Sequence, residues 1–372
     1  MNELLNDNQQ PIAETSSIPE LVRKWKAVEL APAPAFGAQE SKMALLRESL
    51  QAAIKLEFAT VPPYLVALWS IKNDTHPVCK SIREIVHEEM LHMSMTCNML
   101  AAVSGTPLIA HHDFVPIYPG GLPGDVHPDL TVELEGLSQK SLKTFLAIER
   151  PAEFPENVEQ SKEESTLQLD RTIGEFYTCI GNAFHTLNPT LSSTNQIAGP
   201  LAWSFITKLE DVDRAIKLIK MQGEGSSGSP EERKADLSHY FRFRELQERK
   251  KLVWNEKLEK YVYDSAFEWP EVYDVPSMSE EEYAQISDPN ILKLLDKFDS
   301  QYSELLNLLH QTWNGRGQSA FVESIKVMFE LTDLGREIIA TEIPGTGGKS
   351  YCPRFKFKSL SMDSFSTRTL SA

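Results

Sequence analysis

Apolar residues recur along most of this chain at the spacing of one-sided helices. From about Ser41 to about Ile71, Met43, Leu45, Leu46, Leu50, Ala53, Ile54 and Leu56 mark a first long helix. Its second half turns almost wholly apolar, LEFATVPPYLVALWSI, with Glu57 inside it and Pro62-Pro63 little more than a turn later. The prolines remove backbone donors, which predicts a bend or local break there. A second helix is expected over about 76–103. The turn Asn73-Asp74-Thr75, with Asp74 or Thr75 as cap, precedes it, and the Gly-then-Pro stop at Gly105-Thr106-Pro107 follows.

A third helix is expected over about 161–187, with Leu167, Leu169, Ile173, Phe176, Tyr177, Ile180 and Phe184 as its stripe. A fourth begins near Leu209, runs through AIKLIKMQGEG, breaks at the polar SSGSPEERKADL and resumes at SHYFRFRELQERK. Between the second and third lies a Pro- and Gly-rich stretch, 107–155, without helical period until SLKTFLAIERP. A connection that long reads as a lid or a crossover. Past residue 250, LVWNEKLEKYVYDSAFEWPEVYDVPSM reads as an irregular aromatic crossover, before two more amphipathic helices over about 289–313 and 318–340. The expected organisation is all-α: a polar arm over 1–38 holding one short helix, a four-helix bundle over 39–250, a helical elaboration over 251–358 and a flexible tail over 359–372.

Several ionisable residues fall where these stripes call for apolar ones. Glu57 lies inside an apolar run, and Glu89 and His92 lie three residues apart, on one helix face. Ile82, Ile85, Val86, Met90, Met93 and Leu100 surround that pair, so its face is expected to be buried. Glu88 points about 100° away, which favours Glu89 as the inward acid. Glu175 shares the broad face of Ile173 and Phe176. Glu224 closes the fourth helix and His239 opens its continuation, so the two can meet across the break. His185 is nearly three turns from Glu175, too far along the helix to share a metal with it, and His111, His112 and His127, in the long loop, are read as surface histidines.

A lone Glu-x-x-His arises often by chance, and a buried acid or imidazole needs a partner to offset its desolvation. Together, Glu57, Glu89, His92, Glu175, Glu224 and His239 supply four carboxylates and two imidazoles. That is the inventory of a dinuclear carboxylate site within a bundle. Four carboxylates neutralise two divalent cations, and imidazole favours iron over calcium or magnesium while leaving manganese open. Two iron ions are therefore expected, with manganese as the alternative.

Composition narrows the partners. At 372 residues with 41% hydrophobic and 24% charged content, the chain can bury a large core. A formal net charge of −16 argues against a nucleic-acid backbone or an anionic membrane as partner. Cys79, Cys97, Cys179 and Cys352 show no paired spacing. The N-terminal segment has no basic region leading an apolar run, and no stretch reaches membrane-spanning length. A cytoplasmic protein, monomeric or a small homo-oligomer, is expected.

Several stretches together carry a resemblance. They are LEFATVPPYLVALWSI, IVHEEMLHMSMTCNMLAAVSGTPLI, the PGGLPG loop with SLKTFLAIERP, TIGEFYTCIG, MQGEG with SHYFRFREL, and the GTGGKSYCPRFKF tail. Over roughly residues 40–358 the chain resembles the ferritin-like family typified by the iminophenyl-pyruvate dimer synthase of violacein-type pathways. The resemblance implies a ferritin-like four-helix bundle with long crossover loops and added C-terminal helices. It also implies that Glu57, Glu89, His92, Glu175, Glu224 and His239 take the metal-ligand positions. The best-known member holds this domain within a much longer chain, so the substrate need not be the same. The function expected is a di-iron oxidase or oxygenase that takes dioxygen and a small, amino-acid-derived molecule in specialised metabolism. Imine or enamine coupling without oxygen, and iron storage, are the alternatives.

Overall fold

A computed structural model describes residues 16–30, 38–151, 154–155, 157–158, 173–199, 202–225, 229–233 and 236–358. The expected stretch 161–172 of the third helix, most of the arm and the tail lie outside the described residues. Helix α1 (Ile18–Leu30) buries Ile18, Leu21 and Trp25, and its Trp25 indole donates to Ser49 Oγ at 3.0 Å on α2 (Ala38–Trp69). Helix α3 (Pro77–Ala102) packs along α2. The cap of α3 is His76 and not Asp74 or Thr75. Its ring Nδ1 accepts the Val78 N–H at 3.2 Å, and Pro77 fills the first turn, where no donor is needed.

The other half of the bundle consists of four shorter helices. They are α4 (Gln139–Ile148), α5 (Ile173–Leu187), α6 (Leu209–Gly223) and α7 (His239–Glu248). α4 and α5 both pack on α2, α6 and α7 both pack on α3, α4 pairs with α7, and α5 pairs with α6. Each remaining bundle position is thus a helix in two pieces. At one end Gln39 Nε2 reaches Leu187 O at 3.4 Å, and at the other Gln139 Nε2 reaches Gln247 O at 3.3 Å. The pieces part where the chain leaves into 150–172 and 225–238.

α2 continues as helix through Pro62 and Pro63 instead of breaking. Pro63 cannot bond back to the Ala59 carbonyl four residues earlier. The hydroxyl of Tyr118, in the 103–138 crossover, donates to that carbonyl at 2.6 Å. The loop therefore replaces the bond that the proline removes.

The structure is mostly helical, as expected, with two small strand pairs, one between α6 and α7 and one after α7. Strands β1 (Glu231–Arg233) and β2 (Asp236–Leu237) form one small antiparallel pair, and β3 (Lys250–Asn255) and β4 (Lys260–Ala266) another. The second pair occupies part of the expected irregular crossover. Leu252 and Tyr261 turn inward from it, and the Tyr261 N–H binds Asn157 O at 2.8 Å. After the short α8 (Glu280–Ala284), helices α9 (Pro289–Gln311) and α10 (Gln318–Ala340) pack on each other, and α10 packs on α2. The final segment folds back, burying Tyr351, Cys352 and Phe355, with Arg354 paired to the buried Asp299. None of the four cysteines is in a disulfide, and all four are buried. Among the described residues no helix is long and apolar enough to cross a membrane.

Candidate metal centre

Two helices lay down matching faces. On α2, Glu57, Thr60 and Tyr64 follow at intervals of three and four; on α3, Glu89, His92 and Thr96 do the same. The broken helices meet these faces with their ends: Glu149 just after α4, Gly174 and Tyr177 in the first turn of α5, Gln222 and Glu224 at the end of α6, and His239 as the first residue of α7. Five of these residues, Glu57, Glu89, His92, Glu149 and His239, expose no more than 6% each.

They form two ligand sets that share one member. Ligand atoms of Glu57, Glu89 and His92 lie within 4.8 Å of one another, and so do those of Glu89, Glu149 and His239. His92 Nδ1 is 3.5 Å from Glu57 Oε2 and 3.7 Å from Glu89 Oε1. His239 Nδ1 is 2.7 Å from Glu89 Oε1 and 3.6 Å from Glu149 Oε2. The imidazole planes are 26° apart with centroids 5.6 Å apart, so both rings bring the same nitrogen to one centre.

Each carboxylate is steadied from outside. Tyr177 donates to Glu57 Oε1, and Tyr64 donates to Glu149 Oε1 at 2.6 Å. Thr60 Oγ1 lies 2.9 Å from Glu89 Oε2 and 2.8 Å from the Glu57 carbonyl, sharing its one proton between them. Burial first, then the adjacent carboxylates, push both tyrosine hydroxyls well above their ordinary range, so they stay protonated donors. Glu57 Oε2, Glu89 Oε1 and Glu149 Oε2 are left for the centre.

The outer imidazole nitrogens are held as well. His92 Nε2 is 2.9 Å from Gln222 Oε1, and His239 Nε2 is 2.9 Å from Glu88 Oε2. Burial pushes the Glu88 carboxyl up, but His239 and Arg242 outweigh it and bring it down to about 2. With metal bound, the outer nitrogens would keep their protons as donors and both inner nitrogens would present lone pairs.

This donor set is compatible with metal binding. It offers three carboxylates and two imidazoles, with no thiol among the described residues of either set. His239 Nδ1 is buried and makes no hydrogen bond among the described residues despite its short distance to Glu89. Burial first, then the Glu149 charge, push the Glu89 carboxyl up to about 7 even with His239 and His92 opposing. Cations at the centre relieve both conditions.

Of the residues the sequence picks out, Glu57, Glu89, His92 and His239 come together here, and two acids do not. Glu175 turns away to Lys26 Nζ at 2.7 Å, with about a third of its side chain (35%) exposed. The face of α5 that lines the pocket carries Ile173, Gly174 and Tyr177, and Glu175 lies off it. Glu224 lines the same pocket but belongs to neither ligand set, and it accepts the Gly174 N–H at 2.8 Å. A side chain at Gly174 would begin 2.6 Å from its Oε2. Glu149 was missed. It continues the buried series Leu142, Phe145, Leu146 at helical spacing, which is the signal that could have found it. Of the three nearby tyrosines, Tyr64 and Tyr177 meet ligand carboxylates, while Tyr240 packs edge-on against Phe154 and Phe241.

The ferritin-like family model matches residues 50–248, a span that holds all five inward ligands. The chain belongs to the ferritin-like family. This ferritin-like protein is similar in structure to a ferritin-like protein from Caulobacter vibrioides, with 20% sequence identity and a TM-score of 0.55. That likeness covers 82% of this chain and 98% of the other, and at that identity it speaks for the fold alone. No curated protein matches the chain.

Proposed function

We propose that this ferritin-like protein is a non-haem di-iron oxidase or oxygenase acting on a small, amino-acid-derived molecule. The observation that carries the reading is Glu89, one buried carboxylate common to two complete ligand sets. A carboxylate so placed can bridge two metal ions and absorb a change in their charge. When bound, the metal pair would supply the activation of dioxygen; manganese would suit the same donors.

The chain's own residues do the rest. Tyr64, Tyr177 and Thr60 orient the carboxylates, and Gln222 and Glu88 fix the imidazole tautomers. Leu56, Ile148, Ile173 and Ile219 make the apolar walls of the pocket over the centre. Such walls exclude bulk water and suit a compact, largely apolar substrate. Lys220 and Glu224 add two charged groups to the lining. The resemblance to the iminophenyl-pyruvate dimer synthase family supports an amino-acid-derived substrate and a place in specialised metabolism.

Metal-free protein loaded anaerobically with ferrous iron and then mixed with oxygenated buffer tests this. The expected result is about two iron ions per chain and oxygen consumed in a single turnover. Protein that binds no iron, or a Glu89→Ala variant that consumes oxygen as the parent does, overturns the proposal. Turnover of an imine or enamine substrate under strict anaerobiosis would replace it with a coupling reaction.

A further inference from the structure

The two halves of the centre are built on a common plan and differ behind the imidazoles. Each half has one inward imidazole nitrogen, and both rings are buried. Each has one unshared carboxylate, Glu57 or Glu149, which accepts a buried tyrosine hydroxyl. Glu89 serves both. The difference lies behind the imidazoles. The outer N–H of His92 meets a neutral amide oxygen of Gln222, whereas that of His239 meets the Glu88 carboxylate.

A carboxylate draws on that proton more strongly than an amide does, and the bond it makes is charge-assisted and roughly twice as strong. The draw raises electron density on the inner nitrogen and fixes the ring more firmly. Glu88 is itself held in place. Arg242 reaches its two oxygens at 3.0 Å and 3.3 Å, and Arg242 Nε is anchored on the Leu237 carbonyl at 2.6 Å. The guanidinium moderates the charge of Glu88 without supplying a competing acceptor for His239. The neighbouring acids of α3 thus do different work: Glu89 turns into the centre, and Glu88 reaches across to the first turn of α7.

We infer that the two metal positions are unequal: the half built on His239 holds a divalent cation more tightly than the half built on His92, with Glu88 as the positioning residue that sets the difference. The inference rests on the metal reading of the site. A carboxylate behind a metal-bound imidazole changes affinity by about 10–100-fold, and the gap between the two binding steps is expected in that range.

The test is anaerobic titration of the metal-free full-length protein with Co²⁺ alone, followed by visible absorption and by calorimetry. Two steps of different affinity are expected. Glu88→Gln should weaken the tighter step about 10–100-fold and leave the other in place. Gln222→Glu should strengthen the weaker step, a gain that a merely structural role does not produce. That second variant carries the test alone if circular dichroism shows that Glu88→Gln fails to fold. Two steps of equal affinity in the parent, equal weakening of both steps in Glu88→Gln, or no gain in Gln222→Glu overturns the inference while the metal reading stands. Failure of the parent to bind Co²⁺ at all overturns both.

Discussion

Glu149 and Glu175 exchange the roles that pattern alone suggests, and a pair of substitutions separates them. Glu149 is a member of one ligand set, and Glu175 pairs with Lys26 at a partly exposed position. Glu149→Gln should therefore lower bound iron from about two ions per chain toward one, because the other ligand set stays complete. Glu175→Gln should leave the count unchanged and cost at most about 1 kcal/mol, the scale of an exposed ion pair. Metal analysis after desalting, beside a chemical unfolding curve, reads both; equal iron in parent and Glu149→Gln would remove Glu149 from the centre. The reason for the exchange is angular. Glu89 and His92 are legible in the sequence because three residues on one uninterrupted helix leave little doubt about which face they share. At the start of α5 each residue turns the face by about 100°, so a broad stripe that runs through Ile173, Phe176 and Tyr177 does not say which way Glu175 turns. Glu149 follows the last residue of α4 and precedes Arg150-Pro151, where an acid looks like part of a polar loop. Its place at the centre depends on the chain ending a helix there, which no local spacing conveys.

The long helices α3, α9 and α10 lie close to their expected limits, because a Gly or Pro near each end and unbroken periodicity agree along each of them. The hairpin of β3 and β4 was not legible, since each strand offers only a few alternating positions and only Leu252 and Tyr261 among its apolar residues are buried. The proline pair in α2 is more instructive. The local rule correctly identifies a missing backbone bond, but the outcome depends on Tyr118, more than fifty residues on, whose hydroxyl takes the vacated Ala59 carbonyl. Tyr118→Phe keeps the ring and removes that donor. It should destabilise the protein by about 1–3 kcal/mol, the cost of leaving a buried carbonyl unsatisfied. The expected sign is a lower urea midpoint with an unchanged slope and an unchanged iron count. An unaltered midpoint would mean that the carbonyl finds another partner and that the crossover does not support the helix.

Helix α2 also joins the bundle to α9, α10 and the returning segment. One of its faces carries Glu57 to the centre, and Trp69 near its end packs against Phe298 of α9 and lies parallel to Phe355 of the returning segment. Gly335 of α10 is set against the same indole, so closely that a Cβ there would overlap the ring. Gly335→Ala has no backbone reason to destabilise a helix, since alanine is the better helix former. Its cost must come from pushing α10 off Trp69, about 1–3 kcal/mol for an overfilled contact. Because the strain enters through the helix that also holds Glu57, the C-terminal pair and the metal-bearing bundle should melt together. The midpoint should fall, and loss of helix by circular dichroism and release of bound metal should still coincide in one transition. If part of the helix signal melted first while metal remained bound, α9 and α10 would be a separately stable attachment, and the rigidity of the centre would have to come from the bundle alone.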